Sequence, residues 1–286
     1  MKFLIYLSGR KKISSKRVKL IDAVMARGLA ANQQLARALI MEGRIIGNQQ
    51  VLDKPGTLID TDTDIRVKQK LEYVSRGALK LKSAFSKFGL CLSDFQAIDV
   101  GASTGGFTDF LLSQSASKVV AIDVGYGQLS WKLRKDNRVI VLDRTNIRNL
   151  SSEDLPYLAD ITVVDVSFIS LKLIFKKLME ITKTGGLLLM LLKPQFEIQK
   201  GLVPDGGVIT DYRLHIKAIR DFIESIKNTD IHLKGITFSS ITGAKGNIEY
   251  WIYVEKSAKG KEINLNYDKM VEDVVRESHC YFNKNG

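Results

Sequence analysis

The sequence predicts an α/β fold in which helices cover a mostly parallel sheet, with a smaller α+β unit ahead of it. Three observations predict this. From residue 75 onward short apolar runs alternate with helical patterns, as strand-to-strand crossovers require. A glycine-rich loop, Gly101-Ala102-Ser103-Thr104-Gly105-Gly106, joins the first of these runs to a helix start. Residues 17–67 follow a different rhythm, two helical patterns and then short strands separated by turn residues.

Composition narrows the class. The chain has 286 residues, 45% hydrophobic and 26% charged, as in ordinary globular proteins. Its longest apolar stretch, Leu187 to Leu192, is far too short to span a bilayer. Met1 to Ser8 opens like an export signal, but Arg10-Lys11-Lys12 follows at once without a small-residue cleavage site, so it reads as a tail or a first strand. Two cysteines, Cys91 and Cys280, lack paired spacing, which fits a reducing, cytoplasmic setting and predicts no metal site. His215, His232 and His279 are scattered, and none has a nucleophile pattern beside it. Of the net charge of +12, residues 1–80 carry +9, from 16 Lys and Arg against 7 Asp and Glu. Such a local excess is the footprint of a phosphate-bearing partner.

In chain order, Val18 to Gly28 predicts a helix stopped by glycine, and Asn32 caps a second, Gln33 to Glu42, with Leu35, Leu39 and Ile40 on its inner face. Arg44 to Ile46, Gln50 to Leu52 and Asp64 to Val67 read as strands, with Lys54-Pro55-Gly56 as a turn. Residues 68–74 read as a linker. The stretch Tyr73 to Leu81 opens a helix that runs to about Phe88 and leads into five strands: Ala97 to Val100, Val119 to Asp123, Arg138 to Asp143, Ile161 to Asp165 and Gly186 to Lys193. A helix over Tyr212 to Ile226 precedes a closing antiparallel pair, Lys234 to Ser239 and Glu249 to Val254, for seven strands in all. In the tail after residue 256, Lys269 to Arg276 reads as helical.

The five strands each end in a charged residue: Asp99, Asp123, Asp143, Asp165 and Lys193. Ligands of open α/β sheets sit at that carboxyl edge. A dinucleotide loop reads G-x-G-x-x-G, whereas this one reads G-x-x-x-G-G and follows a carboxylate. Asp99 would repel a pyrophosphate but suits a ligand carrying an amine or a cation, and S-adenosylmethionine has both. The expected cofactor set is Asp99, Gly101, Ser103, Gly105, Gly106, Phe107, Asp123, Asp143 and Asp165, with Asp123 on the ribose and Asp143 on the adenine amine.

The chemistry depends on the last two strands. The Asn/Asp-Pro-Pro-aromatic pattern that holds a base amine is absent, since Asp165-Val166-Ser167-Phe168 stands in its place. Lys193 is instead offered to a hydroxyl. A lysine titrates near 10.4 unless perturbed, so a base role needs burial and a second cation, for which Lys80 is the candidate, with Asp165 and Glu249 orienting the pair.

Residues 17–67 resemble the ribosomal-protein S-four-type RNA-binding module, through Arg27-Gly28-Leu29-Ala30, Ala36-Arg37-Ala38-Leu39-Ile40, Gly43-Arg44-Ile45 and Asp53-Lys54-Pro55-Gly56. Gln33 and Gly47-Asn48-Gln49 depart from its usual residues. Further on, Ser75-Arg76-Gly77-Ala78-Leu79-Lys80-Leu81, Asp165-Val166-Ser167-Phe168-Ile169-Ser170, Leu192-Lys193-Pro194-Gln195-Phe196-Glu197 and Gly246-Asn247-Ile248-Glu249-Tyr250 resemble the TlyA family. That family comprises ribosomal RNA ribose 2′-O-methyltransferases with an FtsJ/RrmJ-like domain. The resemblance implies a Rossmann-like, class I, S-adenosylmethionine-dependent methyltransferase domain over residues 75–256. It also implies a catalytic Lys80-Asp165-Lys193-Glu249 tetrad acting on cytidine in small-subunit or large-subunit ribosomal RNA, or in both. Arg27, Arg37, Arg44, Lys54 and Arg76 become the expected RNA contacts. Two other classes compete: a ribosome-assembly factor without activity, opposed by the intact loop and strand-end carboxylates, and a membrane-active haemolysin, opposed by the lack of a spanning segment.

Overall fold

The computed structural model describes residues 16–68, 72–258 and 267–285. Met1 to Ser8 and the middle of the expected linker lie outside them. The described chain forms two compact units, one up to Glu72 and the other from Tyr73.

The first unit runs β1 (Arg17–Lys19), α1 (Leu20–Ala26), α2 (Gln33–Met41), β2 (Ile45–Gly47), β3 (Gln50–Leu52), β4 (Leu58–Asp60) and β5 (Ile65–Val67). β1 pairs antiparallel with β4, and β3-β2-β5 form a second small sheet. Val18 and Lys19, expected in the first helix, are instead in β1, because pairing with Ile59 and Leu58 overrides their helical spacing. The Asn32 side chain accepts from Leu35 N–H at 2.8 Å and caps α2. Leu35 itself is exposed, while Ala36, Leu39 and Ile40 pack on Leu20, Val24 and Ile45. Asn48 and Gln49 both take left-handed φ (49° and 67°), which closes β2 onto β3 with the twist a two-residue hairpin needs.

The second unit runs α3 (Gly77–Phe88), β6 (Gln96–Val100), α4 (Gly106–Ser113), β7 (Lys118–Ile122), α5 (Trp131–Arg134), β8 (Val139–Leu142), β9 (Ala159–Val164), α6 (Phe175–Ile181), β10 (Thr182–Leu192), α7 (Pro194–Glu197), α8 (Tyr212–Ile226), β11 (Ile231–Phe238), β12 (Tyr250–Lys256) and α9 (Tyr267–Asn285). Its seven-stranded sheet has the order β11-β12-β10-β9-β6-β7-β8. β10, β9, β6, β7 and β8 are parallel, and β12 runs antiparallel between β10 and β11. The central strands β6, β9, β10 and β12 are largely buried on both faces, while β8 at the edge is only half-buried. Along β10, Leu188, Met190 and Leu192 join the core under α6, α8 and α9, while Leu189 and Leu191 join the core under α3 and α4. The chain goes from β6 outward to β8 and returns through β9 on the other side of β6. A crevice therefore opens between the carboxyl ends of β6 and β9, where ligands of such sheets bind.

Two histidines far apart in sequence, His215 and His279, meet in space. His215 on α8 is fully buried, its Nε2 donating to Ile209 O at 3.1 Å. Its Nδ1 therefore accepts, with Tyr250 Oη at 2.8 Å and His279 Nε2 from α9 at 3.1 Å. Tyr250 Oη also meets Ser278 Oγ at 2.9 Å, so this polar group ties α9 to α8 and β12. Burial lowers His215 to about 4 from an ordinary value of 6.5, with His279 adding to the effect. Between those two pH values the unfolded chain binds a proton that the folded chain refuses. The contribution of His215 to stability is therefore complete above pH 6.5 and falls by up to about 3 kcal/mol as the pH drops toward 4. Urea titrations of the protein and of His215→Gln across this range should diverge by that amount as the pH falls, since other titrating groups such as Asp99 are common to both; a parallel pH profile for the variant contradicts the assignment.

Candidate active site

Four side chains expected to act together converge beyond the carboxyl ends of the central strands. Asp165 directly follows β9, Lys193 directly follows β10, Glu249 directly precedes β12 and Lys80 is on the first turn of α3. Lys80 Nζ donates to Glu249 Oε2 at 2.7 Å and stands 3.8 Å from Asp165 Oδ2. Lys193 Nζ approaches Asp165 Oδ1 to 2.6 Å and donates to Ser167 Oγ at 2.9 Å. Glu249 is 3% exposed and Lys193 8%, which places two opposite charges in a nearly dry setting where each needs its own partner, Lys80 for Glu249 and Asp165 for Lys193. Gly243 makes room for Glu249, since a Cβ there would lie 2.5 Å from its Oε1.

The electrostatics differ from the expected pairing of two lysines that depress one another. Burial alone would lower Lys80, but Asp165 and Glu249 outweigh it and hold the amine above its ordinary value. Burial raises Glu249 against the opposing pull of Lys80 and Lys193. Lys80 is therefore a fixed cation, and Asp165 lies between it and Lys193, so the two amines do not face each other unscreened.

Two cavities meet at this group. One, about 520 Å³, is lined by Gly101, Ser103, Asp123, Val124, Asn146 and Asp165 among others. The other, about 510 Å³, is lined by Lys80, Lys193, Glu249, Gln195, Phe196 and Asn247 among others. Ser167 and Phe168 line both. A small recess of about 120 Å³, with Ser75, Gly106, Phe107 and Asp165 on its walls, adjoins the glycine loop. Each large cavity is of the size small-molecule sites have.

The glycines serve the protein as much as any ligand. Gly101 takes φ +86°, and a Cβ on it would stand 2.4 Å from Asp165 O. Gly105 (φ +95°) lies against Leu133, and Gly106 against Ser75. Asp123 lines the first cavity and accepts from Ser103 N–H at 2.8 Å and Gly125 N–H at 2.7 Å, leaving lone pairs for a ligand hydroxyl.

Two expected cofactor residues point elsewhere. Asp99 is inside β6, where strand alternation turns it toward α4; fully buried, it accepts from Thr108 Oγ1 at 2.7 Å. Burial pushes it up to about 7, and the Thr108 hydrogen bond only partly offsets that. Asp143 pairs with Arg134 at 2.5 Å and accepts from Gly127 N–H, and that pairing lowers its pKa. The cavity wall beyond β8 is formed by Thr145 and Asn146, which no sequence pattern marked.

Sequence reasoning also missed how the two motif loops lock together. Besides the Lys193–Ser167 bond, the Phe168 and Phe196 rings meet at 5.2 Å, tilted 46° to one another. Glu197, 8% exposed, accepts from Ser170 Oγ at 2.6 Å and Leu171 N–H at 2.7 Å. Phe168, at φ +64° and 90% exposed, is held in a strained, solvent-facing pose by this lock.

Among the expected RNA contacts, Arg27 donates to the carbonyls of Thr61 and Thr63, and Arg44 to Lys68 O at 3.2 Å. Both help to shape the first unit. Arg37 and Lys54 are exposed there, and Arg76 is exposed at the start of α3. Among the described residues no group of three His, Cys, Asp or Glu could hold a metal, and no helix is long and apolar enough to cross a membrane.

Sheet order, glycine loop and crevice together define a methyltransferase-type α/β domain. Residues 73–256 match the FtsJ-like methyltransferase family, and the chain belongs to it. It is 38% identical over 256 residues to the 16S/23S rRNA (cytidine-2′-O)-methyltransferase TlyA of Mycobacterium tuberculosis, covering 87% of this chain and 96% of that one. It is 39% identical over 269 residues to Bacillus subtilis YqxC, provisionally named an rRNA methyltransferase, covering 93% and 96%. A solved structure from Streptococcus thermophilus, provisionally described as a haemolysin, matches with a TM-score of 0.73 at 36% identity, covering 95% of this chain and 99% of that one.

Substitutions at two positions test the geometry. Gly101→Ala should cost on the order of 1–3 kcal/mol in urea unfolding through strain and the clash with Asp165 O; an unchanged midpoint contradicts the close approach. Glu197→Ala should lower turnover while Glu197→Gln, which can still accept from Leu171 N–H, restores most of it; equal loss in both contradicts the lock.

Proposed function

We propose that this protein transfers a methyl group from S-adenosylmethionine to the ribose 2′-hydroxyl of a cytidine in ribosomal RNA of the small or large subunit. The observation that carries this reading is the Lys80-Asp165-Lys193-Glu249 group lying between two cavities. The names of the relatives support the substrate. The donor set fits the cofactor, with a carboxylate at Asp123 for ribose hydroxyls, polar Thr145 and Asn146 at the far wall, and the bare glycine loop beside a recess at Asp165.

S-adenosylmethionine supplies an electrophilic methyl group, so the protein needs mainly to align a hydroxyl and manage its proton. Lys193 faces the second cavity, where the target ribose belongs; once it has passed its own proton to Asp165, 2.6 Å away, it takes the hydroxyl proton in our reading. Lys80 remains charged and stabilises the developing negative oxygen. Asp165 orients both amines, and Glu249 holds Lys80. Phe168, exposed at the lip of both cavities, offers a ring for the target base to stack on. Arg37 and Lys54 of the first unit contribute phosphate contacts.

Lys193→Ala should lower kcat by about 10²–10⁴ with cofactor affinity unchanged in a calorimetric titration; near-normal turnover contradicts the assigned role. Arg37→Gln with Lys54→Gln should weaken RNA binding and lower its salt dependence, while an unchanged salt slope removes these residues from the RNA interface.

A further inference from the structure

We propose that the loop after β7 and the start of α5 form a second RNA-docking surface, in which the exposed rings of Tyr126 and Trp131 stack on bases while Arg144 and Lys135 meet phosphates. This rests on the ribosomal RNA reading above but concerns a surface outside the two cavities. Tyr126 is 70% exposed and Trp131 69%, large apolar faces that folding leaves in water. Neither ring lines the cofactor-side cavity, whose wall here is Val124 and Gln128. Each ring carries a cation: the Arg144 guanidinium stands 4.3 Å from the Tyr126 centroid, and Lys135 Nζ 4.8 Å from that of Trp131. By contrast, Lys132 and Arg134 on the same helix are committed to Asp109 and Asp143.

The surface is built rather than incidental. Arg144 takes a left-handed φ of 52°, a conformation costly for an arginine, and its N–H donates to Gly125 O at 2.9 Å. Thr145 N–H donates to Asp123 O at 2.9 Å, so the loop after β8 is strapped to the loop after β7 and Arg144 is held above Tyr126. A partner must be sequence-tolerant toward flat rings and must bring negative charge, and single-stranded RNA has both properties. Both loops leave the same carboxyl edge as Phe168, so a strand entering the second cavity passes along one rim of the sheet.

The test uses the full chain and a labelled single-stranded oligocytidylate. Tyr126→Ala with Trp131→Ala should weaken its binding about tenfold or more and leave S-adenosylmethionine affinity unchanged. Lys135→Gln with Arg144→Gln should lower the slope of log affinity against log salt by about 1.4. Unaltered oligonucleotide binding in both variants overturns the proposal, as does a fall in cofactor affinity alone, or loss of a self-associated species in sedimentation with RNA binding intact. Methylation of ribosomal RNA by the unmodified protein, measured alongside, reports separately on the reading this proposal rests on.

Discussion

The site depends on one carboxylate, that of Asp165, held between two buried or half-buried ammonium groups. At about 4 Å a charge pair near a protein surface is worth roughly 4 kcal/mol before desolvation is counted, so moving Asp165 would leave Lys80 and Lys193 poorly compensated. The backbone fixes that carboxylate. Asp165 N–H donates to Val100 O at 2.9 Å, continuing the β6–β9 pairing, and Gly101 packs on Asp165 O in a space that admits no side chain. The glycine loop thus has a structural task that precedes any ligand: it lets the crevice close to the width at which Asp165 reaches both amines.

The interlock between the loops after β9 and β10 extends the same constraint outward. Ser167, Phe168 and Ser170 on one side meet Lys193, Phe196 and Glu197 on the other. Both cavities border this seam, so the two adjoin through a few contacts rather than through a long pathway. A loop that carries an exposed, strained aromatic residue needs such anchoring, because the strain would otherwise relax.

Much of the site was legible in the sequence because its motifs end strands, and strand ends are easy to find in buried parallel sheets. Asp165, Lys193 and Asp123 reach the cavities as their positions suggested. Asp99 does not, since it is one residue inside its strand and alternation turns it to the helix side. Asp143 does not, because Arg134, nine residues earlier, captures it. Thr145 and Asn146 had no spacing signal; their place comes from how the loop after β8 is strapped to Asp123. Leu35 was read as inward from helical spacing alone, and the meeting of His215 with His279 depends on a packing of α8 and α9 that no local pattern encodes.

The most direct test incubates the purified protein with deproteinised and intact ribosomal subunits and methyl-labelled S-adenosylmethionine, then locates the label by nuclease digestion and mass spectrometry. The account predicts label on a ribose 2′-oxygen of cytidine, visible as one dinucleotide resistant to alkali. Label on a base, or none in any ribosomal RNA while the cofactor still binds, would contradict it.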